Sequence, residues 1–244
     1  MAKDPTRSER LPGGEERARL VEEMFDRIAR SYELLNLLMT AGTNRLWNGV
    51  VVRASGAGPG DRVLDLACGT GSLTRDLAKK VGPDGHVLGI DFSKAMLREA
   101  GKKPMPGAEY RLGDATDLIG VEDGSFDAAT IAYGARNIPD LDALFSEMAR
   151  AVRPGGRVVC LEIARPTRRL FATFYGLWFD RLVPWLGGKV SGDAWAYSYL
   201  PESVKEFVAS GELAEIMGRN GLQNVTWWKF SGGIVTLHVG TKSG

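Results

Sequence analysis

The sequence of 244 residues has little cysteine and little histidine, with two residues of each. Cys68 and Cys160 lie far apart and form no metal-binding spacing. Two thiols cannot build a disulfide framework, which is typical of a protein from a reducing compartment. We therefore expect a cytoplasmic protein without a metal site.

The sequence also lacks an excess of charge of one sign and any long apolar run. There are 31 Lys and Arg against 30 Asp and Glu, a net charge of +1. A protein held by nucleic-acid phosphates usually has a basic surplus, so we expect no nucleic-acid partner. No window approaches the roughly 20 apolar residues that cross a bilayer. The charged N-terminus has no apolar segment typical of a signal peptide.

From residue 62 onward, short apolar runs bounded by turn residues alternate with helical stretches. This pattern predicts strands and helices in turn, hence crossover connections and a parallel sheet covered on both faces. The fold class is therefore α/β. The predicted strands are at 62–67, 86–91, 110–113, 126–132, 157–163, 225–230 and 234–240. Helices are expected ahead of the first strand and, after the fifth, near 170–183 and 201–219.

A glycine-containing turn follows the first predicted strand. Cys68-Gly-Thr-Gly71 opens a helix, where free backbone N–H groups favour a negative group. Asp91 ends the second strand and Asp114 follows the third, so both carboxylates lie at the same edge of the sheet. There Asp91 can hold ribose hydroxyls, and Asp114 can accept from an adenine amino group. Each feature alone is common in turns, but three at successive strand ends predict an adenosine-containing cofactor.

The loop does not complete the dinucleotide fingerprint G-x-G-x-x-G/A, because Thr74 stands three positions after Gly71. A dinucleotide enzyme would also need a second half or a substrate domain, for which few residues remain. S-adenosylmethionine is shorter, carries no phosphate and needs one nucleotide-binding half. The chain therefore fits S-adenosylmethionine better.

The segment Asp65-Leu-Ala-Cys-Gly-Thr-Gly71, with Asp91 and Arg153-Pro-Gly-Gly156, resembles the class I S-adenosylmethionine-dependent methyltransferases. Further motifs make the chain similar to one family within them, that of the menaquinone/ubiquinone biosynthesis C-methyltransferases, over about residues 24–242. These motifs include Met24-Phe-Asp-Arg-Ile-Ala-Arg-Ser-Tyr-Glu33, Tyr133-Gly-Ala-Arg-Asn137, Leu161-Glu162, Ser198-Tyr-Leu-Pro-Glu-Ser203 and Gly232-Gly-Ile-Val-Thr-Leu-His238.

This resemblance implies a Rossmann-like sheet of seven mostly parallel strands, with an antiparallel last strand. It also implies C-methylation of a polyprenylated quinol, with demethylmenaquinol preferred and a benzoquinol relative, or both, as alternatives. Thr70, Asp91 and the pair Asp114-Ala115 match cofactor-binding positions of the family. The predicted cofactor site adds Asp65, Gly69 and Gly71 of the loop.

The domain organisation follows from these assignments. Residues 1–14 are expected to form a flexible lead and 15–244 a single domain. Within it we predict a helical cap at 15–57, a cofactor-binding half at 58–165, and a substrate-side insertion with the closing strands at 166–244. The insertion is dense in aromatic residues, which suit a flat quinol ring and an isoprenoid tail.

Three residues are candidates for catalysis. A ring carbon becomes nucleophilic when a neighbouring hydroxyl loses its proton, so the site needs a group that favours the phenolate. Arg136 can do so or can orient a water, although its guanidinium cannot act as a base. An ion pair with a carboxylate such as Glu162 is the alternative for Arg136. Asn137 is either a further polar contact or a turn residue, and Tyr32 either reaches over the cofactor or quinol or packs in the core.

Neither histidine is expected to be a base, since His86 begins a strand at the far edge and His238 lies within the last strand. Two rival functions stay open: methylation of another small molecule, and a cofactor-binding scaffold without catalysis. Contact with the inner face of a membrane and association into a homodimer are also left open.

Overall fold

A computed structural model describes residues 14–39, 42–164 and 194–244. Among these residues, two helices precede the sheet and two more lie between its fifth and sixth strands. In chain order the elements are α1 (Gly14–Met39), α2 (Asn44–Ser55), β1 (Arg62–Leu66), α3 (Ser72–Val81), β2 (His86–Asp91), α4 (Lys94–Gly101), β3 (Ala108–Leu112), β4 (Phe126–Ala132), α5 (Leu141–Ala151), β5 (Val152–Ile163), α6 (Ala194–Glu206), α7 (Ser210–Arg219), β6 (Leu222–Phe230) and β7 (Val235–Lys242).

The strands form one seven-stranded sheet in the order β3-β2-β1-β4-β5-β7-β6. The first five strands along the chain pair in parallel, as in the register of Leu64 with both Leu88 and Ala129. Strand β7 is antiparallel to β5 and β6, and Val235 at its start pairs with Ile163 at the end of β5. The predicted mostly parallel sheet with an antiparallel last strand is confirmed.

Apolar side chains pack on both faces of the sheet, so its central strands β1 and β4 are largely buried on both sides. On one face Leu64 and Leu66 pack with Phe145 of α5 and Met217 of α7. On the other face Val63 packs with residues of α2 and α3. A third cluster joins α1 to α4 and α6 and leaves α1 beside the carboxyl ends of the first strands.

Strands β3, β6 and β7 differ from their predicted bounds by one to three residues at an end, and three further predicted boundaries also differ from the structure. Strand β5 begins at Val152 rather than at 157, because Val152 pairs with Phe126 before a register shift at the turn. The helix expected at 201–219 is two helices, α6 and α7. Strand β1 stops at Leu66 because Ala67 has a left-handed backbone, with φ of 49°. The helix expected near 170–183 lies outside the described residues, as do residues 1–13.

Within the described ranges, no helix combines the length and the apolar character needed to span a membrane.

Candidate active site

The glycine loop joins β1 to α3 through two glycines with left-handed backbones, Gly69 with φ of 55° and Gly71 with φ of 75°. A Cβ on Gly71 would overlap the Tyr110 side chain, so a larger residue there would force Tyr110 to move and would also adopt an unfavourable positive φ. A Cβ on Gly69 would meet no atom within 4 Å. The loop therefore packs tightly on β3 at one glycine and presents open backbone at the other.

Asp65 lies beneath this loop, with 1% of the residue exposed. Its Oδ2 accepts a hydrogen bond from the Thr74 hydroxyl at 2.6 Å, and its Oδ1 accepts one from the Thr130 hydroxyl at 2.8 Å. Burial raises the pKa of the Asp65 carboxyl to about 6, although both hydroxyls oppose this shift. The structure thus places Asp65 as a support that ties the loop region to α3 and β4.

Asp91, at the end of β2, connects the first two strand ends. Its Oδ2 accepts from the Gly69 amide at 2.8 Å and its Oδ1 from the Ser93 amide at 2.9 Å. Burial raises the pKa of the Asp91 carboxyl, and these backbone donors limit the rise. Ser93 caps α4 by accepting from the Met96 amide.

Asp114 and Ala115 follow β3 at the same edge. Asp114 is exposed, and its Oδ1 accepts from both the amide and the hydroxyl of Thr116, at 2.8 and 2.7 Å. Ala115 is half-buried and packs against the main core. Together with Leu112, which is 47% exposed, they form the outer end of the edge that the three aspartates share.

Helix α1 crosses this edge and is attached to it by two acidic residues. Asp26 accepts from the Ser93 hydroxyl at 2.6 Å and from the Ala95 amide at 3.3 Å. The other carboxylate, Glu33, pairs with Arg75 at 3.4 Å, with Lys103, and with the Thr70 hydroxyl. Burial raises the pKa of Glu33, but the contacts with Lys103, Thr70 and Arg75 together outweigh it, so the pKa lies below its ordinary value.

Sequence reasoning assigned no role to Asp26 or Glu33. Their separation of two helical turns places them on one side of α1, and this spacing is the signal that could have drawn attention to them. The same contacts cover Thr70, which is only 4% exposed and whose carbonyl accepts from Arg75 at 2.8 Å. Helix α1 therefore fixes the loop after β1 and the loop after β2 together.

Arg136 and Glu162 form a buried ion pair at the ends of β4 and β5. This is the contact that the sequence analysis gave as the alternative role of Arg136. The Arg136 Nη1 is 2.6 Å from Glu162 Oε1, and the side chains are 8% and 0% exposed. Nη1 also donates to the Tyr133 carbonyl at 2.6 Å. In the described part of the chain, the buried Nε of Arg136 has no hydrogen-bond partner. Nη1 of the guanidinium is thus used by the protein, and Nε is not.

Tyr32 and Asn137 lie beside this ion pair. Tyr32, from α1, is half-buried. This burial raises the pKa of its hydroxyl, and Arg136 is close enough to act on that hydroxyl electrostatically. Asn137 is 8% exposed, and its Oδ1 accepts from the Tyr199 hydroxyl of α6 at 3.1 Å. The structure therefore brings the three predicted catalytic residues together and adds Tyr199 to them.

The backbone is constrained where β1 and β4 end side by side. Tyr133 has φ of 59°, which is uncommon for a residue other than glycine, and its amide donates to the Leu161 carbonyl at 2.8 Å. A Cβ on Gly134 would lie 2.6 Å from the Ala67 Cβ. Strained residues of this kind cluster at functional sites, and here they lie where the strand order reverses, the usual ligand crevice of such sheets.

Both histidines lie away from this crevice. His86 starts β2 at the opposite edge, with its Nε2 3.2 Å from Glu109. His238 is fully buried in β7, and its Nε2 contacts the Ser210 carbonyl at 2.9 Å. Burial lowers the pKa of His238. These positions agree with the structural roles predicted for them.

The strand order, the glycine loop and the acidic strand ends define a class I S-adenosylmethionine-dependent methyltransferase fold. A methyltransferase from Thermotoga maritima has a similar structure, with a TM-score of 0.62, 19% identity, and coverage of 91% of this chain and 99% of that one. The [4+2]-cyclase SpnF is also similar, with a TM-score of 0.68, 16% identity, and coverage of 96% and 99%. The fold is therefore shared by proteins with different reactions.

Sequence similarity identifies the family more specifically than the fold does. The model of the ubiE/COQ5 methyltransferase family matches residues 13–242, and the chain belongs to this family. It is 40% identical over 235 residues to a demethylmenaquinone methyltransferase of Desulfitobacterium hafniense, covering 94% of this chain and 92% of that one. It is 38% identical over 230 residues to a ubiquinone/menaquinone biosynthesis C-methyltransferase of Burkholderia orbicola, covering 93% and 94%. The resemblance drawn from the motifs is confirmed: the chain is a methyltransferase that uses S-adenosylmethionine.

Proposed function

We propose that this protein transfers a methyl group to a ring carbon of a polyprenylated quinol, with demethylmenaquinol as the substrate. The observation that carries the proposal is the buried Nε of Arg136, which has no partner among the described residues and belongs to a guanidinium fixed by Glu162. The names of the relatives support the quinol class, and the Desulfitobacterium relative supports the naphthoquinol.

The residues at the strand ends suit S-adenosylmethionine. Asp91 and Asp114 offer carboxylate oxygens to hydroxyl and amino groups, and the open backbone at Gly69 lies beside Asp91. Thr70 and Gly71 complete the loop, Ala115 flanks Asp114, and Asp65 supports the loop from below. When bound, this cofactor supplies an electrophilic methyl group.

Arg136 would favour the ionised form of the quinol hydroxyl. Its guanidinium stays protonated at ordinary pH, and a nearby positive charge lowers the pKa of an acidic group. Tyr32 and Asn137 lie next to it and would position the ring, since an aligned approach lowers the barrier to the transfer. Neither histidine lies at this edge of the sheet. We therefore propose that a water molecule accepts the proton that the quinol hydroxyl loses.

The test is methyl transfer from labelled S-adenosylmethionine to two reduced quinols, a demethylmenaquinol and the corresponding benzoquinol precursor. We expect label in the naphthoquinol ring. Label in both rings would contradict the restricted substrate and favour an enzyme of both pathways. Label in neither, with cofactor binding intact, would contradict the quinol class and favour another small-molecule substrate or a scaffold.

We further propose that the protein contacts a membrane surface, where a polyprenylated substrate resides. The edge strand β6 exposes Trp227 and Trp228 by 42% and 49%, and tryptophan favours the membrane interface. Trp228→Ser should reduce cosedimentation with vesicles of anionic phospholipid, with Ile119→Ser, at an 80% exposed site on the β3 side, as the matched control. Equal loss in both variants, or no binding by the wild type, would contradict this proposal.

A further inference from the structure

Glu162 is the carboxylate most fully enclosed at this site, and no part of its side chain is exposed. We propose that Glu162 is a positioning residue: it holds the Arg136 guanidinium so that the Nε edge faces the quinol oxygen. The inference rests on the proposed function and adds to it the residue that determines how Arg136 is presented.

Glu162 binds both the backbone amide and the guanidinium of Arg136. Its Oε1 accepts from Arg136 Nη1 at 2.6 Å and from the Ile163 amide at 2.8 Å. Its Oε2 accepts from the Arg136 amide at 3.1 Å. The backbone and the guanidinium of Arg136 are thus fixed to one carboxylate, which is itself fixed by its own strand. The Tyr133 carbonyl also accepts from Nη1, whereas the buried Nε has no hydrogen-bond partner among the described residues.

A purely stabilising role does not explain this arrangement well. A buried ion pair is often no more stabilising than apolar side chains of similar volume, because both charges lose their hydration. Glu162 lies in β5 next to Leu161 and Cys160, which are fully buried and apolar, so an apolar residue would fit the strand pattern. The charge therefore has a use at the site, and the use that the contacts show is to orient Arg136.

Glu162 could act by orienting Arg136 or by offsetting its charge. Loss of Glu162 would change the pKa of the quinol hydroxyl in opposite directions in these two cases, so the inference can be tested. An aligned Arg136 lowers the pKa of the bound hydroxyl. If Glu162 orients Arg136, losing it raises that pKa, and the rising limb of the pH–rate profile moves to higher pH. If Glu162 only offsets the charge of Arg136, losing it leaves a stronger positive field and the limb moves to lower pH. If Glu162 is only structural, the limb does not move.

The experiment compares Glu162→Gln and Glu162→Asp with the wild type. Aspartate keeps the charge but is one methylene shorter and cannot keep all three contacts. Cys160→Ala is the matched control, because Cys160 is also fully buried on the same face of β5. Each variant is measured for kcat and KM against pH, for binding of S-adenosylmethionine, and for thermal stability. Absorbance titration of a bound monohydroxy naphthol analogue reports the pKa of the hydroxyl without turnover.

For both Glu162 variants we expect kcat to fall about 10- to 100-fold and the limb, with the pKa of the analogue, to rise by about one to two pH units. This is the size of one hydrogen bond to a charged group. Cofactor binding should not change, and Cys160→Ala should leave the limb in place. In an Arg136→Ala background, Glu162→Gln should cost no further kcat.

The inference would be overturned if an active Glu162 variant kept the rising limb of its pH–rate profile in place or moved it to lower pH. It would also be overturned if the losses of kcat multiplied in the Arg136→Ala, Glu162→Gln double variant. Either result would leave the proposed function standing. A wild-type protein that methylates neither quinol would overturn the proposed function, and this inference with it. If Glu162→Gln does not fold, Glu162→Asp decides the outcome through the same two titrations.

Discussion

The Asp26 carboxylate of α1 accepts a hydrogen bond from the Ser93 hydroxyl, whose oxygen in turn accepts from the Met96 amide at the start of α4. Asp26 thereby extends the cap of α4 and attaches α1 to the residue two positions after Asp91. With Glu33 on the loop after β1, α1 is fixed at two points to the segments predicted to hold the cofactor.

Glu33→Gln should weaken binding of S-adenosylmethionine by about two- to tenfold, because it removes the charge that attaches α1 to Arg75 and Lys103. Calorimetry at low and high salt would measure this. The difference from the wild type should shrink at high salt, since the pairs are partly exposed. Glu202→Gln, which breaks an exposed pair with Lys205, is the control. Equal affinities of Glu33→Gln and the wild type at low salt would contradict the attachment.

Arg136→Ala should reduce kcat for the quinol by about 100-fold or more while leaving the affinity for S-adenosylmethionine within about twofold. It removes the positive charge that favours the phenolate, worth about 3 kcal/mol for a donor of this kind. It also leaves Glu162 buried without its partner, so the melting temperature should fall. Steady-state kinetics and a thermal melt would measure both effects.

Arg153→Ala is the matched control for Arg136→Ala, since Arg153 pairs with Asp127 at the exposed opposite edge of the sheet. It should keep wild-type kcat. If Arg136→Ala kept wild-type kcat too, Arg136 would be a structural residue alone.

Asp65→Asn should gain stability relative to the wild type as the pH rises from 4 to 7. Burial raises the pKa of the folded Asp65 from 3.8 to about 6, so the folded state holds this proton more tightly than the unfolded chain. The wild type therefore loses stability as the pH rises through this window, by about 3 kcal/mol at most. Urea unfolding of both proteins at the two pH values measures the change. A difference that does not vary with pH would mean that Asp65 titrates normally.

Gly71→Ala should abolish cofactor binding and lower the melting temperature. The added Cβ overlaps Tyr110, and the backbone has φ of 75°, a region that alanine adopts at a cost. Gly69→Ala shares the unfavourable φ but meets open space, so it should destabilise the protein less. Melting curves of the two variants provide the comparison. Equal stability of the two would indicate that the contact with Tyr110 can relax.

The sequence predicts the sheet well because local signals determine it. The apolar run of β1 and the glycines of the loop each act over a few residues, and both are found where expected. Pairing over a long sequence distance is harder to foresee. Nothing near Asp65 shows that the Thr74 and Thr130 hydroxyls occupy its oxygens, and nothing near Glu33 points to Arg75 and Lys103. The sequence identified the positions at the strand ends but did not show which side chains bind ligand and which support those that do.

Tyr32 and Glu33 are consecutive residues of α1, yet they serve different halves of the site. Tyr32 lies beside Arg136, on the side proposed for the quinol, and Glu33 is attached to the loop proposed for the cofactor. A rigid helix cannot move one without the other. Binding of either molecule should therefore change the affinity for the second, and linkage requires the same factor in both directions.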